Sequence, residues 1–231
     1  PGFFTAFRCR QFTCEAACSI RIHGWPGRSE RIRSKVMAET AAQAGTFEAT
    51  PAYLFVERAA ARLHTHLPKA RLVAVLRDPV KRAYSAWNMF RDFAHNPVHG
   101  HLHDARSFAQ AVEDELSGRE VPWEHRYLAR GHYAAQLRRY FDLFGRDRVL
   151  VVPYRDLRDA PQRVLDKVCA HTGLKPHAFD PQALRTKDNV RGYPEPLDPA
   201  LAERLYAHFA PHMAELNTLL GITLNLDERT R

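Results

Sequence analysis

The sequence has neither a long apolar run nor an apolar segment near its start. A helix that spans a membrane needs about 20 consecutive apolar residues, and no run in these 231 residues approaches that length. A secretory signal needs an apolar core close to the first residue, which the opening residues PGFFTAFRCRQFTC lack. From these absences we expect a cytoplasmic protein without a membrane span.

Cysteine is scarce, and its spacing does not suit a metal centre. The four cysteines are Cys9, Cys14, Cys18 and Cys169. They do not form the close C-x-x-C pairs that are typical of zinc sites. We interpret them as reduced thiols without a specific role, and the sequence predicts no bound metal.

The chain also lacks internal repeats and low-complexity tracts, but it carries a large positive charge. The formal net charge is +8 at pH 7, which favours an anionic partner without identifying it. Nucleotides, sulfated or phosphorylated sugars, nucleic acid and lipid headgroups all fit that description. No basic helix with interleaved aromatic residues supports nucleic acid, so we expect no nucleic-acid partner beyond a nucleotide.

The segment RLVAVLRDPVKRAYSAW, residues 71–87, is the most informative part of the chain. Residues 72–76 are apolar without interruption, which predicts a buried strand and favours parallel pairing. Asp78 suits the N-cap of a following helix, and Pro79 suits its first position. The buried face of that helix is predicted from apolar residues at helical spacing: Val80, Ala83, Tyr84, Trp87 and Phe90.

From residue 46 onward, apolar runs alternate with helical patterns, which argues for an α/β fold with a parallel sheet flanked by helices. Residues 1–45 keep neither period for long. The remaining elements are predicted as follows: FEATPAYLF extended; residues 56–67 and 107–116 helical; residues 95–104 a loop; a helical stripe of Tyr133, Leu137, Tyr140 and Phe144 ended by Gly145; RVLVVPY a second buried strand; a helix opened by Asp159 and Pro161 and ended by Gly173; helical segments over residues 198–220 interrupted at Pro211.

Arg77 lies where the predicted strand passes into the helix, a position that suits an anion. Ligands of open parallel sheets bind outside the carboxyl ends of the strands. A helix N-terminus offers unpaired N–H groups and a positive dipole end there, and the arginine adds a planar fork for phosphate oxygens. Ser85, about two turns along the helix, could add a hydroxyl. The residues alone fit equally well an arginine paired with a carboxylate and a solvated serine.

Several segments resemble, in the same order, the sulfotransferases that use 3′-phosphoadenosine 5′-phosphosulfate. LPKARLVAVLRDPVKRAYSAW resembles their 3′-phosphate-binding segment; FEATPAYLF precedes it, and RYLARGHYAAQLRRYF, RVLVVPYRDLRDAPQRVLDKVCAHTGL and the tail from RGYPEPLD follow it. The resemblance is best to heparan-sulfate-type and bacterial carbohydrate sulfotransferases. It implies a P-loop-NTPase-like α/β fold, with residues 46–231 as the sulfotransferase domain.

The resemblance also implies a donor, an acceptor and a set of binding residues. The donor would be 3′-phosphoadenosine 5′-phosphosulfate, used without a metal, and the acceptor a hydroxyl or amine on a glycan. Arg77 and Ser85 match the arginine and serine that hold the 3′-phosphate of the donor. The loop that closes over the nucleotide matches residues 187–193, with the candidates Lys187, Asn189, Arg191 and Gly192.

The sequence departs from the family at the other end of the nucleotide. The K-x-G-T-[ST] loop of the family, which grips the 5′-phosphosulfate, has no counterpart in these residues. We interpret residues 1–45 as an atypical segment. Three explanations stay open: the chain is a fragment, its reading frame starts at the wrong place, or it is a diverged inactive member of the family. The alternative function is therefore a catalytically inactive fragment of the fold that binds a nucleotide or a polyanion.

Glu48 is the candidate general base, because it is the carboxylate of a matched segment placed near the expected cleft. Its other interpretation is structural. Heparan-type members that act on hydroxyls often carry a lysine after this glutamate, where the present chain has Ala49. Tyr133 matches a tyrosine near the cleft of the family, but its place in the apolar stripe favours a core residue.

Two groups of basic side chains remain, and the preferred interpretation of both is a solvated surface. His95, His99, His101 and His103 crowd one loop, where metal ligation is the alternative. The basic residues 28–35 could contact a polyanionic acceptor, although a solvated face is the usual role of such a run.

Overall fold

A single sheet organises the strands that the structure describes. The computed structural model describes residues 4–9, 45–185, 193, 195–224 and 226, and for residues 4–9 and 45–48 it describes the backbone only. Within these residues the strands, in the sheet order β2–β1–β3–β4, are β1 (Phe4–Cys9), β2 (Gly45–Ala49), β3 (Arg71–Leu76) and β4 (Val149–Pro153).

The predicted parallel pair is present, in a sheet that is mixed as a whole. β3 and β4 run parallel, with Leu72 opposite Val149. β1 runs antiparallel to both β2 and β3, and it lies in the part of the sequence for which no period predicted a strand. β3 has a neighbour on each side, and its residues 72–76 are all buried, which agrees with their continuous apolar character.

Eight α-helices lie within the described residues. They are α1 (Glu57–His66), α2 (Pro79–Arg91), α3 (Phe108–Leu116), α4 (Tyr133–Phe144), α5 (Tyr154–Asp159), α6 (Pro161–Thr172), α7 (Pro181–Arg185) and α8 (Pro199–Leu220). Short 3-10 turns occur at Pro51–Tyr53, Gly100–Leu102, Trp123–His125, Ala129–Gly131 and Arg146–Arg148. The predicted buried faces of α2 and α4 are confirmed, because every residue of both apolar stripes is buried.

Two local predictions differ from the structure. Only the first part of FEATPAYLF is extended, because β2 ends at Ala49 and a 3-10 turn starts at Pro51. The fixed φ of proline suits that first position. Asp159 does not open α6; it is the last residue of the short helix α5 and pairs with Arg158 at 2.8 Å.

Pro211 does not interrupt the C-terminal helix, and this prediction was wrong. α8 is continuous from Pro199 to Leu220 with Pro211 inside it. An internal proline removes one helix hydrogen bond and costs about 3 kcal/mol. Burial of a leucine or phenylalanine side chain contributes about 1.5–3 kcal/mol, and four such residues of α8 are buried: Leu205, Phe209, Leu216 and Leu220. Their combined burial outweighs the local cost.

The chain divides into two compact units, each with its own core. The first comprises residues 77–135 and those from 185 onward, and the second comprises residues up to 76 together with 136–184. In the first unit, α2, α3 and α8 enclose an aromatic cluster that includes Tyr84, Trp87, Phe90, Phe108, Tyr127 and Phe209. In the second, Val73 and Val75 of β3 pack with Val152 and Val164. None of the helices in the described residues is long and apolar enough to span a membrane.

Candidate functional site

Asp78 forms the predicted N-cap of α2 and is almost completely buried. Its Oδ1 atom accepts hydrogen bonds from the backbone N–H groups of Val80 at 2.8 Å and Lys81 at 2.9 Å. Its Oδ2 atom accepts a hydrogen bond from the hydroxyl of Tyr206 in α8, at 3.0 Å. Both oxygens of the carboxylate are therefore engaged within the first unit.

The N-terminus of α2 does not offer the unpaired N–H groups that the sequence predicts. Pro79 has no N–H group, Val80 and Lys81 donate to the side chain of Asp78, and Arg82 donates to the Asp78 carbonyl at 2.8 Å. Asp78 also brings a negative charge to the positive end of the helix dipole. An anion at this turn must be recognised by side chains instead of helix amides.

Arg77, the residue before this cap, is half-buried. A side chain of α4 holds its backbone in place. The hydroxyl of Tyr133 donates a hydrogen bond to the Arg77 carbonyl oxygen at 2.9 Å. Burial raises the pKa of Tyr133 to about 12, although the neighbouring charge of Arg82 opposes the shift. The hydroxyl thus stays protonated and remains a donor at neutral pH. The core assignment of Tyr133 is confirmed, and the same side chain positions the backbone of Arg77.

Arg82 supplies a buried positive charge that the sequence analysis did not identify. It is 5% exposed and donates through Nη2 to the backbone carbonyl of Tyr127. Burial lowers its pKa, while Tyr133 and Glu115 act to raise it. The sequence does hint at this burial, because Arg82 lies between Val80 and Ala83, two residues of the predicted buried face of α2.

Ser85 lies on the half-exposed side of α2, in line with Lys81 and Met89 at four-residue spacing. Its hydroxyl makes no hydrogen bond to another described residue. Ser85 is eight positions after Arg77, a rise on the order of 12 Å along a helix. The long arginine side chain and a phosphate group together can span that distance, and Lys81 provides a further positive charge one turn before Ser85.

The last residue of the predicted nucleotide loop, Tyr193, and the nearby residue Glu195 contact α2 beside Ser85. The Tyr84 hydroxyl donates to the backbone carbonyl of Glu195 at 2.6 Å. The ring of Tyr193 lies edge-on to the ring of Tyr84, with 5.4 Å between centroids. The candidates in the loop, Lys187, Asn189, Arg191 and Gly192, lie outside the described residues, so their roles remain predictions.

The structure describes little or nothing of the side chains of several other predicted candidates. Glu48 lies in β2 opposite Ala6 of β1; its side chain lies outside the described part of the structure, and its role as base stays a prediction. Cys169 is a free, buried thiol. Cys14, Cys18 and the basic residues 28–35 also lie outside the described residues.

The histidine-rich loop does not form a metal-binding group in the described structure. No three potential ligands that include His95, His99, His101 or His103 come together among the described residues. His99 instead packs its ring against Phe93, with 5.2 Å between centroids.

Comparison with known proteins gives one consistent result. The family model described as "Sulfotransferase family" matches residues 26–178. A mouse protein named bifunctional heparan sulfate N-deacetylase/N-sulfotransferase 4 is 28% identical over 199 residues, which are 75% of this chain and 22% of that protein. The human N-deacetylase/N-sulfotransferase 3 is 30% identical over 152 residues, 64% of this chain and 16% of its own length. The chain thus spans about a fifth of the length of these curated relatives.

A solved structure supports the same assignment. The sulfotransferase from Alicyclobacillus acidocaldarius aligns with a TM-score of 0.58 and 30% sequence identity, over 75% of this chain and 63% of that chain. The predicted α/β sulfotransferase fold is thereby confirmed. With two thirds of its residues matched by the family model, the chain belongs to the sulfotransferase family, a family of transferases.

Proposed function

We propose that this chain binds the 3′-phosphate of 3′-phosphoadenosine 5′-phosphosulfate between Arg77 and Ser85, and that it serves the transfer of a sulfuryl group to a hydroxyl or amine of a carbohydrate. The observation that carries the proposal is the arrangement at the start of α2. Its backbone amides are occupied by Asp78, whereas Arg77, Lys81 and Ser85 are half-exposed.

The chemistry of these side chains suits a phosphate dianion. A guanidinium group forms two parallel hydrogen bonds to phosphate oxygens, and a serine hydroxyl adds one more donor. The buried guanidinium of Arg82 adds positive charge behind them. Asp78, the carboxylate next to Arg77 in the sequence, is engaged in its cap.

The reaction of the family requires positioning more than covalent catalysis by the protein. The acceptor oxygen or nitrogen forms a bond to sulfur while the bond from sulfur to the 5′-phosphate oxygen of the donor breaks. The acceptor proton passes to a general base, for which Glu48 is the candidate. By analogy with phosphoryl transfer, alignment of the two substrates and stabilisation of charge supply the rate.

The acceptor class is inferred from two observations. The curated relatives are named for action on heparan sulfate, which is an anionic glycan. The net charge of +8 of this chain favours association with such a polyanion.

Calorimetric titration tests the nucleotide part of the proposal directly. Wild-type chain should bind 3′-phosphoadenosine 5′-phosphate about tenfold or more tightly than 5′-AMP, because only the first ligand carries the 3′-phosphate. Equal affinity for the two nucleotides would overturn the proposed site.

A labelled-sulfate transfer assay with heparan-type glycan acceptors tests the catalytic part. Turnover above background would exclude a module that only binds. Nucleotide binding without turnover would favour the non-catalytic alternative.

A further inference from the structure

Three histidines from two distant parts of the sequence converge in the first unit. His132 follows the turn Ala129–Gly131, and His208 and His212 are one turn apart on α8. The Nε2 atoms of His132 and His208 are 3.4 Å apart. The rings of His132 and His212 stack with 3.8 Å between centroids. One nitrogen from each of the three rings lies within 4.8 Å of the others.

Contacts on both sides hold His132 in this position. On one side, a Cβ atom at Gly131 would meet the ring of Phe209 at 2.6 Å, so the turn lies directly against α8 next to His208. On the other side, Tyr133 is fixed by its hydrogen bond to the Arg77 carbonyl. Phe209 is 1% exposed, whereas the three histidines are half-buried. The group is therefore held by packed neighbours and remains open to solvent.

The distances suit a metal ion better than a direct hydrogen bond. The 3.4 Å between the Nε2 atoms of His132 and His208 is long for a hydrogen bond, since N–H···O bonds are normally about 2.7–3.2 Å long. Two imidazole nitrogens on a tetrahedral zinc ion, each at about 2.0–2.1 Å, would be roughly 3.3–3.4 Å apart. To complete such a site, the His212 ring must turn out of its stack with His132 and its nitrogen must move by on the order of 1 Å. A side-chain rotation on a half-exposed helix face can supply both changes.

We propose that His132, His208 and His212 form a binding site for a divalent transition-metal cation of the zinc type. Three neutral imidazoles suit zinc, copper, nickel and cobalt, and do not suit the oxygen-seeking magnesium or calcium. The fourth coordination position would be open to water. The charges near His132 are of both signs, since the Glu215 carboxylate favours a cation there and the Arg82 guanidinium opposes it.

Such a metal would cross-link α8 to the segment that carries Tyr133. It would stabilise the fold of the first unit, and it is separate from the sulfuryl transfer proposed above, whose chemistry needs no metal. The two proposals can therefore fail independently.

Cobalt titration of the full chain, freed of metal by dialysis against a chelator, tests the site. We expect one Co²⁺ per chain, with visible absorption bands of a tetrahedral complex that zinc abolishes by displacement. Zinc should also raise the Tm of the wild type, because a ligand that binds only the folded state stabilises it. His208→Ala and His212→Ala should each weaken cobalt affinity by at least about tenfold and remove the zinc-dependent rise in Tm.

The histidine-rich loop supplies the matched control. The double variant His101→Ala, His103→Ala removes two histidines from the same unit and should keep the wild-type cobalt affinity and spectrum. Circular dichroism of the metal-free variants verifies that they fold. The proposal is overturned if the wild type gives no tetrahedral cobalt spectrum, if both α8 variants bind as the wild type does, or if the loop variant alone abolishes binding.

Discussion

The hydroxyl of Tyr133, the first residue of α4, donates a 2.9 Å hydrogen bond to the backbone carbonyl of Arg77. A side chain 56 residues away along the chain thereby fixes the backbone from which the proposed phosphate-binding guanidinium extends. The family resemblance predicts that Arg77 binds the ligand, and this contact shows what holds the Arg77 backbone in place.

The variant Tyr133→Phe should weaken both stability and nucleotide affinity. Loss of the hydroxyl removes a partly buried hydrogen bond to the Arg77 carbonyl, so the free energy of unfolding should fall by about 1 kcal/mol. Affinity for 3′-phosphoadenosine 5′-phosphate should fall as well, because the Arg77 backbone is less well fixed. Urea denaturation and calorimetric titration measure the two effects.

Tyr140→Phe is a matched control for that variant. Tyr140 lies on the same helix and its hydroxyl donates to the Tyr53 carbonyl at 2.6 Å, so its loss should cost similar stability without changing nucleotide affinity. If both variants weakened binding equally, the role assigned to the Tyr133 hydroxyl would be wrong.

Replacement of the two proposed phosphate-binding residues should weaken the binding of 3′-phosphoadenosine 5′-phosphate and leave the binding of 5′-AMP unchanged. Arg77→Ala should reduce the binding free energy of 3′-phosphoadenosine 5′-phosphate by about 1.5–3 kcal/mol, and Ser85→Ala by roughly 1 kcal/mol. Affinity for 5′-AMP should change little. Calorimetric titration of each variant with both nucleotides measures the difference.

Arg91→Ala provides the control for removal of a positive charge from α2. Arg91 is at the far end of the helix and lies over the ring of Trp87, 4.8 Å from its centroid. Its loss should leave both affinities unchanged. An equal loss for the two nucleotides in Arg77→Ala would show that Arg77 is a structural residue.

The cap of α2 should contribute more stability than the cap of α8. Asp78→Ala removes an N-cap, worth about 1 kcal/mol, and the partly buried hydrogen bond from Tyr206, worth about 1 kcal/mol more. Asp198→Ala removes only an exposed cap, whose carboxylate accepts from Leu201 N–H at 2.7 Å. Urea denaturation should show losses of about 2 and about 1 kcal/mol. Equal losses would mean that the Tyr206 hydrogen bond contributes nothing.

Asp104 should make stability depend on pH in acid. Burial would raise the pKa of Asp104, but hydrogen bonds from Arg106 and Tyr127 outweigh it and hold the pKa below its usual value. The pKa in the unfolded chain is near 3.9, so the ionised carboxylate stabilises the fold above that pH. This contribution is lost as the pH falls through the lowered pKa of the folded state.

The test compares the wild type with Asp104→Asn by urea denaturation at several pH values. The wild type should be the more stable of the two at pH 7, and the difference should shrink below about pH 4. Asp142→Asn, an exposed change on α4, should show no such trend. A constant difference between the wild type and Asp104→Asn at every pH would exclude the proposed linkage.

Patterns within short stretches of sequence predicted the helices, strands and caps whose formation depends on residues a few positions apart. The run of residues 72–76, the cap Asp78 with Pro79, and the stripe of α4 each carry their signal within a few positions, and the structure confirms them. Pro211 shows the limit of that approach, because burial of α8 outweighs the local cost of proline.

The features of the site that sequence analysis missed all depend on contacts between distant segments. The second oxygen of Asp78 meets Tyr206, and Arg82 meets Tyr127. His132 meets α8 only through tertiary packing. No periodicity within a segment carries such information, and the family resemblance concerned only the residues that match the ligand-binding motif.

The close contact of Gly131 with Phe209 limits which residues the fold can accept at position 131. The space that a Cβ atom would need is taken by the buried ring of Phe209 at 2.6 Å and by Pro79 at 3.0 Å, and neither neighbour can move aside in a packed core. Gly118 differs, because its φ of +73° is unfavourable for other residues while the space around it is open. In a randomised library selected for folded protein, position 118 should therefore admit asparagine, which tolerates that backbone conformation, whereas position 131 should return glycine alone.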